Sequence, residues 1–238
     1  MSFFPTLLYF PEMLMRERRI KWELLAPALT GGRALSGAIP SARLDGGGIW
    51  ACEMSDVQVS SADHVRTWRA LAAILDGGAT PIVVATRDVR FAPWPSAVTD
   101  LYESTNSDDS TCSDGGVYVS SVIQAEVAAD AAIRATSLTI TMNIGAALRG
   151  GEYFSIEHET FSHRLYQVGQ VTVNGDGDYV CTIRPPLREA VVAATRVEFD
   201  YPKCVMTPAS PDAMSLVLEQ RYHASTTVRF IESFPPWG

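Results

Sequence analysis

The sequence has few of the residues that most often build reactive centres. Among its 238 residues there are only 4 cysteines and 4 histidines. The cysteines are far apart and form no C-x-x-C pair or Cys/His cluster, which disfavours a zinc site. Three of them fall in predicted strands, where a thiol packs as a small apolar group. We interpret all of them as reduced thiols of a protein made in a cytoplasm. The cysteines are Cys52, Cys112, Cys181 and Cys204.

Catalytic and nucleotide-binding motifs are absent as well. The sequence contains no G-x-S-x-G, H-E-x-x-H, Walker A or G-x-G-x-x-G motif. Its glycine-rich stretches, GGRALSG and DGGG, do not lie between a buried strand and a helix, so helix amides are not aimed at a phosphate. We therefore predict that the protein is not an enzyme and has no catalytic, cofactor-binding or metal-binding residues.

Two places could contradict that prediction. His158 and His163 flank ETFS, with Glu157 and Glu159 beside them, and could form a metal or acid–base cluster. Side chains alternate along a strand, so both glutamates should lie on the face opposite His158. The histidine spacing also spans a predicted hairpin turn, which disfavours convergence. The second place is the acidic segment ESTNSDDSTCSDGG (103–116), whose aspartates could bind calcium. These aspartates lack the ordered ligand spacing of a calcium loop. These aspartates are Asp108, Asp109 and Asp114.

Basic charge and long apolar runs are also scarce. There are 19 Lys and Arg against 27 Asp and Glu, a formal net charge of −8, and a general nucleic-acid binder needs a basic face. The apolar start is interrupted by Pro5 and Pro11 and is too short to span a bilayer. In a signal peptide, basic residues precede the apolar stretch and a small-residue cleavage site follows it. Here the basic residues follow the apolar stretch and no such cleavage site is present. We expect no membrane span.

What the sequence does contain is a succession of strand patterns. RRIKWELL (18–25), IWACEMSDVQV (49–59) and TPIVVAT (80–86) read as strands, and short strands separated by turn residues continue from residue 117. One segment, at about 61–76, has helical spacing with a serine cap and a terminal glycine. The sequence predicts a mainly β fold with antiparallel β-sandwich or barrel lobes and one amphipathic helix.

The sequence patterns divide the chain into four predicted parts. Residues 1–17 form an extended apolar arm, and residues 18–102 form an N-terminal β lobe with the helix. Residues 103–116 form a flexible acidic loop, because periodicity disappears there. Residues 117–238 form a second, mainly β lobe, which could be continuous with the first.

The order of these pieces resembles a family of virion proteins. The resemblance lies in the motifs GEYFSI, RLYQV, VNGDG, TIRPPLR and VEFDYP, preceded by the tryptophan-containing helix that ends in LDGG. Over residues 18–232 the chain is similar to the distal tail (Dit-like) family, the tail-tip structural proteins of tailed bacteriophages and gene-transfer particles. The resemblance implies a homo-oligomeric ring, expected to be hexameric, that joins the tail tube to the tip and hub proteins. It also implies a virion location after synthesis in the host cytoplasm.

A ring needs two different contact surfaces on each subunit, because one heterologous interface is repeated by rotation. We predict that the apolar arm, the C-terminal segment FPPWG and a tryptophan beside two prolines supply them. An alternative is that both termini fold back on their own domain. The interface candidates are Phe3, Phe4, Leu7, Leu8, Tyr9, Phe10, Trp94, Phe234 and Trp237.

Other functions stay open from the sequence alone. A carbohydrate- or receptor-binding β-module of a tail fibre would expose aromatic side chains around a groove. Another tail adaptor or a head–tail joining protein could carry similar strand patterns. A glycan hydrolase would need paired carboxylates, and only Glu157, Glu159 and Asp176 are candidates.

Overall fold

A computed structural model describes most of the chain. The described residues are 7–25, 28–32, 36–37, 41–43, 46–86, 90–95, 122–219 and 223–236. The predicted acidic loop at 103–116 lies outside them, as do Phe3, Phe4 and Trp237. In chain order the elements are β1 (Leu8–Tyr9), β2 (Arg19–Leu25), β3 (Ala28–Thr30), β4 (Ser41–Arg43), β5 (Ile49–Val59), α1 (Ala62–Leu75), a 3-10 turn (Asp76–Gly78), β6 (Ile82–Ala85), β7 (Gln124–Val127), β8 (Ser137–Ile144), β9 (Tyr153–His158), β10 (Ser162–Val173), β11 (Tyr179–Arg184), β12 (Arg196–Val197), β13 (Lys203–Pro208) and β14 (Ala224–Glu232).

The predicted fold class is confirmed. The described chain is mainly β, with lobes of sandwich or barrel character and one amphipathic α-helix, at 62–75 where about 61–76 was predicted. Among the described strand pairs whose register is defined, pairing is antiparallel except between β1 and β6, which run parallel. Within the described residues, no helix is both long and apolar enough to cross a bilayer.

The chain forms two compact units, and neither is continuous in sequence. The first contains the described residues of Met1–Arg87, Glu157–Leu165 and Lys203–Gly238. The second contains those of Asp88–Ile156 and Tyr166–Pro202. The tip of the β9–β10 hairpin, residues 157–165, therefore belongs to the first unit, although the rest of that hairpin belongs to the second.

The first unit is built on a sheet with strand order β1-β6-β13-β14-β5-β2. A bulge in β5 lies opposite β14, where the pairing shifts between Thr226 and Val228, and Asp56 has a φ of 56°. The bulge changes the phase of side-chain alternation. Consequently Trp50, Cys52 and Met54 are buried before it, and Val57 and Val59 are buried after it.

Helix α1 begins and ends where its sequence predicts. The Ser61 side chain accepts a hydrogen bond from the His64 amide at 3.1 Å, and the helix ends at Asp76 in the left-handed conformation. Four residues at helical spacing are buried: Val65, Trp68, Leu71 and Leu75. The indole of Trp68 donates to the Met214 carbonyl at 2.8 Å, which ties the helix to the chain between β13 and β14.

The second unit is built on a sheet with strand order β12-β7-β8-β11-β10-β9. Its core has an aromatic centre, where the Phe154 ring stacks on Tyr166 at 5.4 Å and lies 5.5 Å from Phe199. The Tyr166 hydroxyl accepts a hydrogen bond from the Arg188 amide at 3.0 Å, so its polar end is satisfied although the residue is fully buried.

Two local expectations need correction. The segment MSLVLEQ (214–220) has a strand pattern in the sequence, but its described residues, 214–219, have only an isolated bridge between Glu219 and His223. Both edges of β14 are already occupied by β5 and β13, so this segment has no free edge there to pair with. The turn sequence VNGDG (173–177) predicts a hairpin with positive φ at Asn174–Gly175; the hairpin is present, but the positive φ lies at Gly177.

Candidate functional site

The N-terminal segment is fixed on the sheet of the first unit. Leu8 and Tyr9 pair with Ile82 and Val83 of β6, and the Phe10 amide donates to the Val83 carbonyl at 2.9 Å. Phe10 is 4% exposed, with its ring edge-on to Phe230 at 5.8 Å. Phe10 is therefore a core residue of its own unit.

The turn that follows β1 is also anchored to the first unit. Glu12 is 4% exposed, and its carboxylate accepts a hydrogen bond from the Ala85 amide at 3.1 Å. Met15 is fully buried, whereas Met13 and Leu14 between them are 80% and 51% exposed. Sequence reasoning missed these two residues as surface candidates, although they continue the apolar run past Phe10. Only the anchoring of Glu12 and Met15 decides which of them point outward.

The hairpin tip brings the N-terminal strand and the C-terminal segment together. The Tyr9 hydroxyl lies 3.2 Å from His163 Nε2, with the two rings edge-on at 6.3 Å. The Phe234 ring meets Phe161 edge-on at 6.1 Å. We call Tyr9, Phe161 and Phe234 the apolar patch; Leu8 precedes Tyr9 in β1, so its side chain points to the opposite face of the sheet. Tyr9 is 52% exposed, and Leu8 and Phe234 are each 37% exposed.

A buried ion pair lies beneath this patch. Arg164 Nη1 is 3.4 Å from Glu232 Oε1, and both side chains are fully buried. Arg164 also donates from Nε to the Phe161 carbonyl at 2.8 Å, and its guanidinium lies 4.6 Å from the centre of the Phe234 ring. The second carboxylate oxygen of Glu232 accepts a hydrogen bond from the Trp50 amide at 3.1 Å. The patch therefore rests on a polar network that links β10, β14 and β5.

The electrostatics of the patch follow from its partial burial. Burial raises the pKa of the Tyr9 phenol above its ordinary value, and the nearby Glu157 carboxylate raises it further. Burial also lowers the pKa of His163, and the positive charges of Lys203 and Arg164 act in the same direction, while Glu157 opposes them. Neutral His163 is thus favoured, in a hydrogen bond with a protonated Tyr9.

The remaining interface candidates are placed separately. Leu7 is half-buried. Trp94 is 38% exposed and belongs to the second unit. The sequence therefore pointed to two members of the patch, Tyr9 and Phe234. It gave no signal for Phe161, which reaches the patch through the hairpin turn.

Three of the residues weighed for chemistry lie at the end of β9 and in the turn after it. Strand β9 ends at His158, which is buried, while Glu157 and Glu159 are exposed, as the alternation predicts. The described residues contain no group of three or more His, Cys, Asp or Glu side chains placed to hold a metal ion. The aspartates weighed as calcium ligands and judged to lack the required spacing, Asp108, Asp109 and Asp114, lie outside the described residues.

The described cysteines are placed as core residues. Cys52 and Cys181 are free thiols, and both are buried, as is Cys204. Burial, reinforced by the charge of Glu152, raises the pKa of the Cys181 thiol to about 12, and burial raises the pKa of Cys52 as well. Since the thiolate is the nucleophile, neither residue is suited to nucleophilic chemistry.

No protein-family profile matches the chain, and no curated protein matches it significantly in sequence.

Proposed function

We propose that the chain is a structural protein of a bacteriophage tail or a related particle, a distal tail component whose copies form a ring. In this proposal the ring joins the tail tube to the tip and hub proteins, and the protein acts in the virion without catalysing a reaction. The family resemblance of the sequence motivates it. The structural observation that supports it most is the apolar patch, which combines parts of both predicted contact segments.

The N-terminal segment is anchored to its own unit and still exposes apolar side chains, and an assembly surface requires both properties. Phe10, Glu12 and Met15 anchor it to its own unit, while Leu8, Tyr9, Met13 and Leu14 keep apolar surface exposed. Because the backbone is already ordered, a partner gains this area without an added entropic cost of ordering the arm. Exposed apolar surface of this kind marks association sites in soluble proteins.

The two edges of the first unit's sheet differ in a way that favours the same conclusion. The described sheet ends at β2 on one side, where charged side chains discourage edge-to-edge pairing. These charged residues are Arg19, Lys21 and Glu23. The other edge is β1, where the side chains are Leu8 and Tyr9. An unguarded apolar edge suits a contact with a second copy of the chain.

The charge of the chain is also compatible with a ring around a DNA channel. With a formal net charge of −8, the protein would not hold passing DNA through phosphate contacts. The partners in this proposal are therefore other copies of the chain and neighbouring tail proteins, and no sequence-specific contact with nucleic acid is included.

Native mass spectrometry of the full chain, from micromolar to millimolar concentration, tests the proposal. We expect a single closed oligomer with a fixed number of chains, hexameric according to the resemblance. The variant Leu8→Ser/Tyr9→Ser should shift this oligomer to monomer, because it removes apolar area from the edge while leaving Phe10, Glu12 and Met15 in place.

A matched control uses exposed apolar side chains that are not members of the patch. Val217 is 79% exposed and Ile133 is 55% exposed, so Val217→Ser/Ile133→Ser removes a similar kind of surface. This control should leave the oligomer intact. A wild-type chain that stays monomeric at every concentration contradicts a self-assembling ring. Equal loss of oligomer in both double variants contradicts the role of the patch.

A further inference from the structure

The second unit contains a cleft lined by none of the residues of the apolar patch. Its volume is about 660 Å³. One wall is the segment 90–94, and the other is the connection between β8 and β9 together with the first residue of β9 and one residue of β10. The lining residues from these elements are Arg90, Phe91, Ala92, Pro93, Trp94, Ala146, Ala147, Arg149, Gly150, Gly151, Glu152, Tyr153 and Gln167.

Backbone hydrogen bonds hold the walls of this cleft in place. The Ala146 amide donates to the Pro93 carbonyl at 2.8 Å, which joins the two walls, and the Gly151 amide donates to Val168 of β10 at 2.7 Å. Gly150 has a φ of +94°, and a Cβ at this position would lie 2.3 Å from the Gly169 carbonyl oxygen. The close approach of the β8–β9 connection to β10 therefore requires glycine at position 150. Together with the hydrogen bonds, it means that the cleft is preformed.

The carboxylate in the cleft has a structural role. Glu152 is only 7% exposed, and its two oxygens accept hydrogen bonds from the amides of Arg149 and Gly150, both at 2.7 Å. These amides are consequently not available to cradle a phosphate. A nucleotide or phosphate site of the backbone-amide type is therefore not supported here.

The groups that do face the cleft are aromatic and cationic. Phe91 is 68% exposed and Trp94 is 38% exposed, an unusual degree of exposure for such large side chains. Arg90 and Arg149 are exposed. Among the described residues, neither forms an ion pair with a carboxylate. The charged residues that line the cleft are these two arginines and Glu152. The cleft therefore has a net positive charge, although the protein as a whole is acidic.

We propose that this cleft binds a saccharide that carries a carboxylate group. Aromatic faces stack against the apolar face of a sugar ring, and guanidinium groups pair with carboxylates through two parallel hydrogen bonds. Gln167 at the wall adds an amide that can bond a sugar hydroxyl. The inference does not depend on ring formation, because every lining residue belongs to the second unit of a single chain.

The test is a titration of the full chain with trigalacturonic acid, followed by calorimetry and by tryptophan fluorescence. Its fully methyl-esterified form is the matched probe, since it has the same sugars without charge. Inorganic phosphate at equal ionic strength is a third probe. We expect saturable binding of the acid with a Kd below about 1 mM, and at least about tenfold weaker binding of the ester.

Variants then locate the site. Arg149→Gln and Trp94→Ala should each weaken binding about tenfold. Arg66→Gln, which alters an exposed arginine on α1 in the other unit, should leave it unchanged. Circular dichroism and the melting temperature verify that each variant folds. Absence of binding, equal binding of acid and ester, equal competition by phosphate, or full affinity in both cleft variants would each overturn the inference.

Discussion

Replacing Glu232 by Gln should destabilise the first unit through a single buried charge. Glu232 and Arg164 are both fully buried, and removing one member of such a pair leaves the other charge uncompensated, at a cost of about 3–5 kcal/mol. Arg164 keeps the Phe161 carbonyl and the Phe234 ring, which offset part of that cost. We therefore expect the free energy of unfolding to fall by about 2–4 kcal/mol.

The substitution isolates charge because Gln preserves shape and one acceptor. The Gln side-chain oxygen can still accept the hydrogen bond that Glu232 receives from the Trp50 amide. Urea denaturation followed by tryptophan fluorescence measures the loss, since Trp22, Trp50 and Trp68 all belong to the first unit. Arg164→Met/Glu232→Leu removes both charges and should restore most of the stability lost by Glu232→Gln alone.

An exposed ion pair in the same sheet provides the control. Arg229 lies 3.0 Å from Glu23, and both side chains are substantially exposed. Glu23→Gln should therefore leave the urea midpoint close to that of the wild-type chain. If Glu232→Gln shifts the midpoint no more than Glu23→Gln does, the pair beneath the apolar patch is not desolvated, and the reasoning fails.

Two further predictions concern the second unit and the patch. Gly150→Ala should destabilise the second unit by at least about 2 kcal/mol, because positive φ and the close Gly169 carbonyl both disfavour a side chain there. Gly175→Ala, with open space around its Cβ, should change the urea midpoint little, and similar midpoints for the two variants would exclude a steric requirement. The lowered pKa of His163 means that the folded state binds fewer protons than the unfolded state just below pH 6.5. Melting temperatures should accordingly fall as pH decreases from 6.5, less steeply in His163→Gln, and identical pH profiles would contradict the assignment.

Local sequence patterns were sufficient for several elements of the fold. The spacing of Val65, Trp68, Leu71 and Leu75 with a serine cap located α1, because helix periodicity and capping involve residues within a few positions. Strand β5 was predicted with its observed bounds. The patterns also located the β10–β11 hairpin. They did not locate its positive-φ residue, because Asn174 bonds the amides of Asp176 and Asp178 and so sets the turn.

The candidate site was predictable only in part. The apolar arm and the C-terminal segment stood out in the sequence because they are rich in aromatic residues without helix or strand periodicity. Which of their side chains are exposed depends on anchors elsewhere, such as the Ala85 amide that binds Glu12. No local pattern distinguishes Phe10, which is buried, from Tyr9, which is exposed.

The sequence by itself determined the mainly β class, the helix and the positions of most strands, since these follow from periodicity, caps and turn residues close together in the chain. Tertiary structure decided the rest. It placed the hairpin tip in the first unit through contacts between residues far apart in sequence, including the Trp50 indole on the Leu165 carbonyl and Arg164 on Glu232. It also left 214–219 without a strand partner, because the edges of β14 were already filled. Such outcomes depend on which distant segments compete for one surface, and that competition is not encoded in any local pattern.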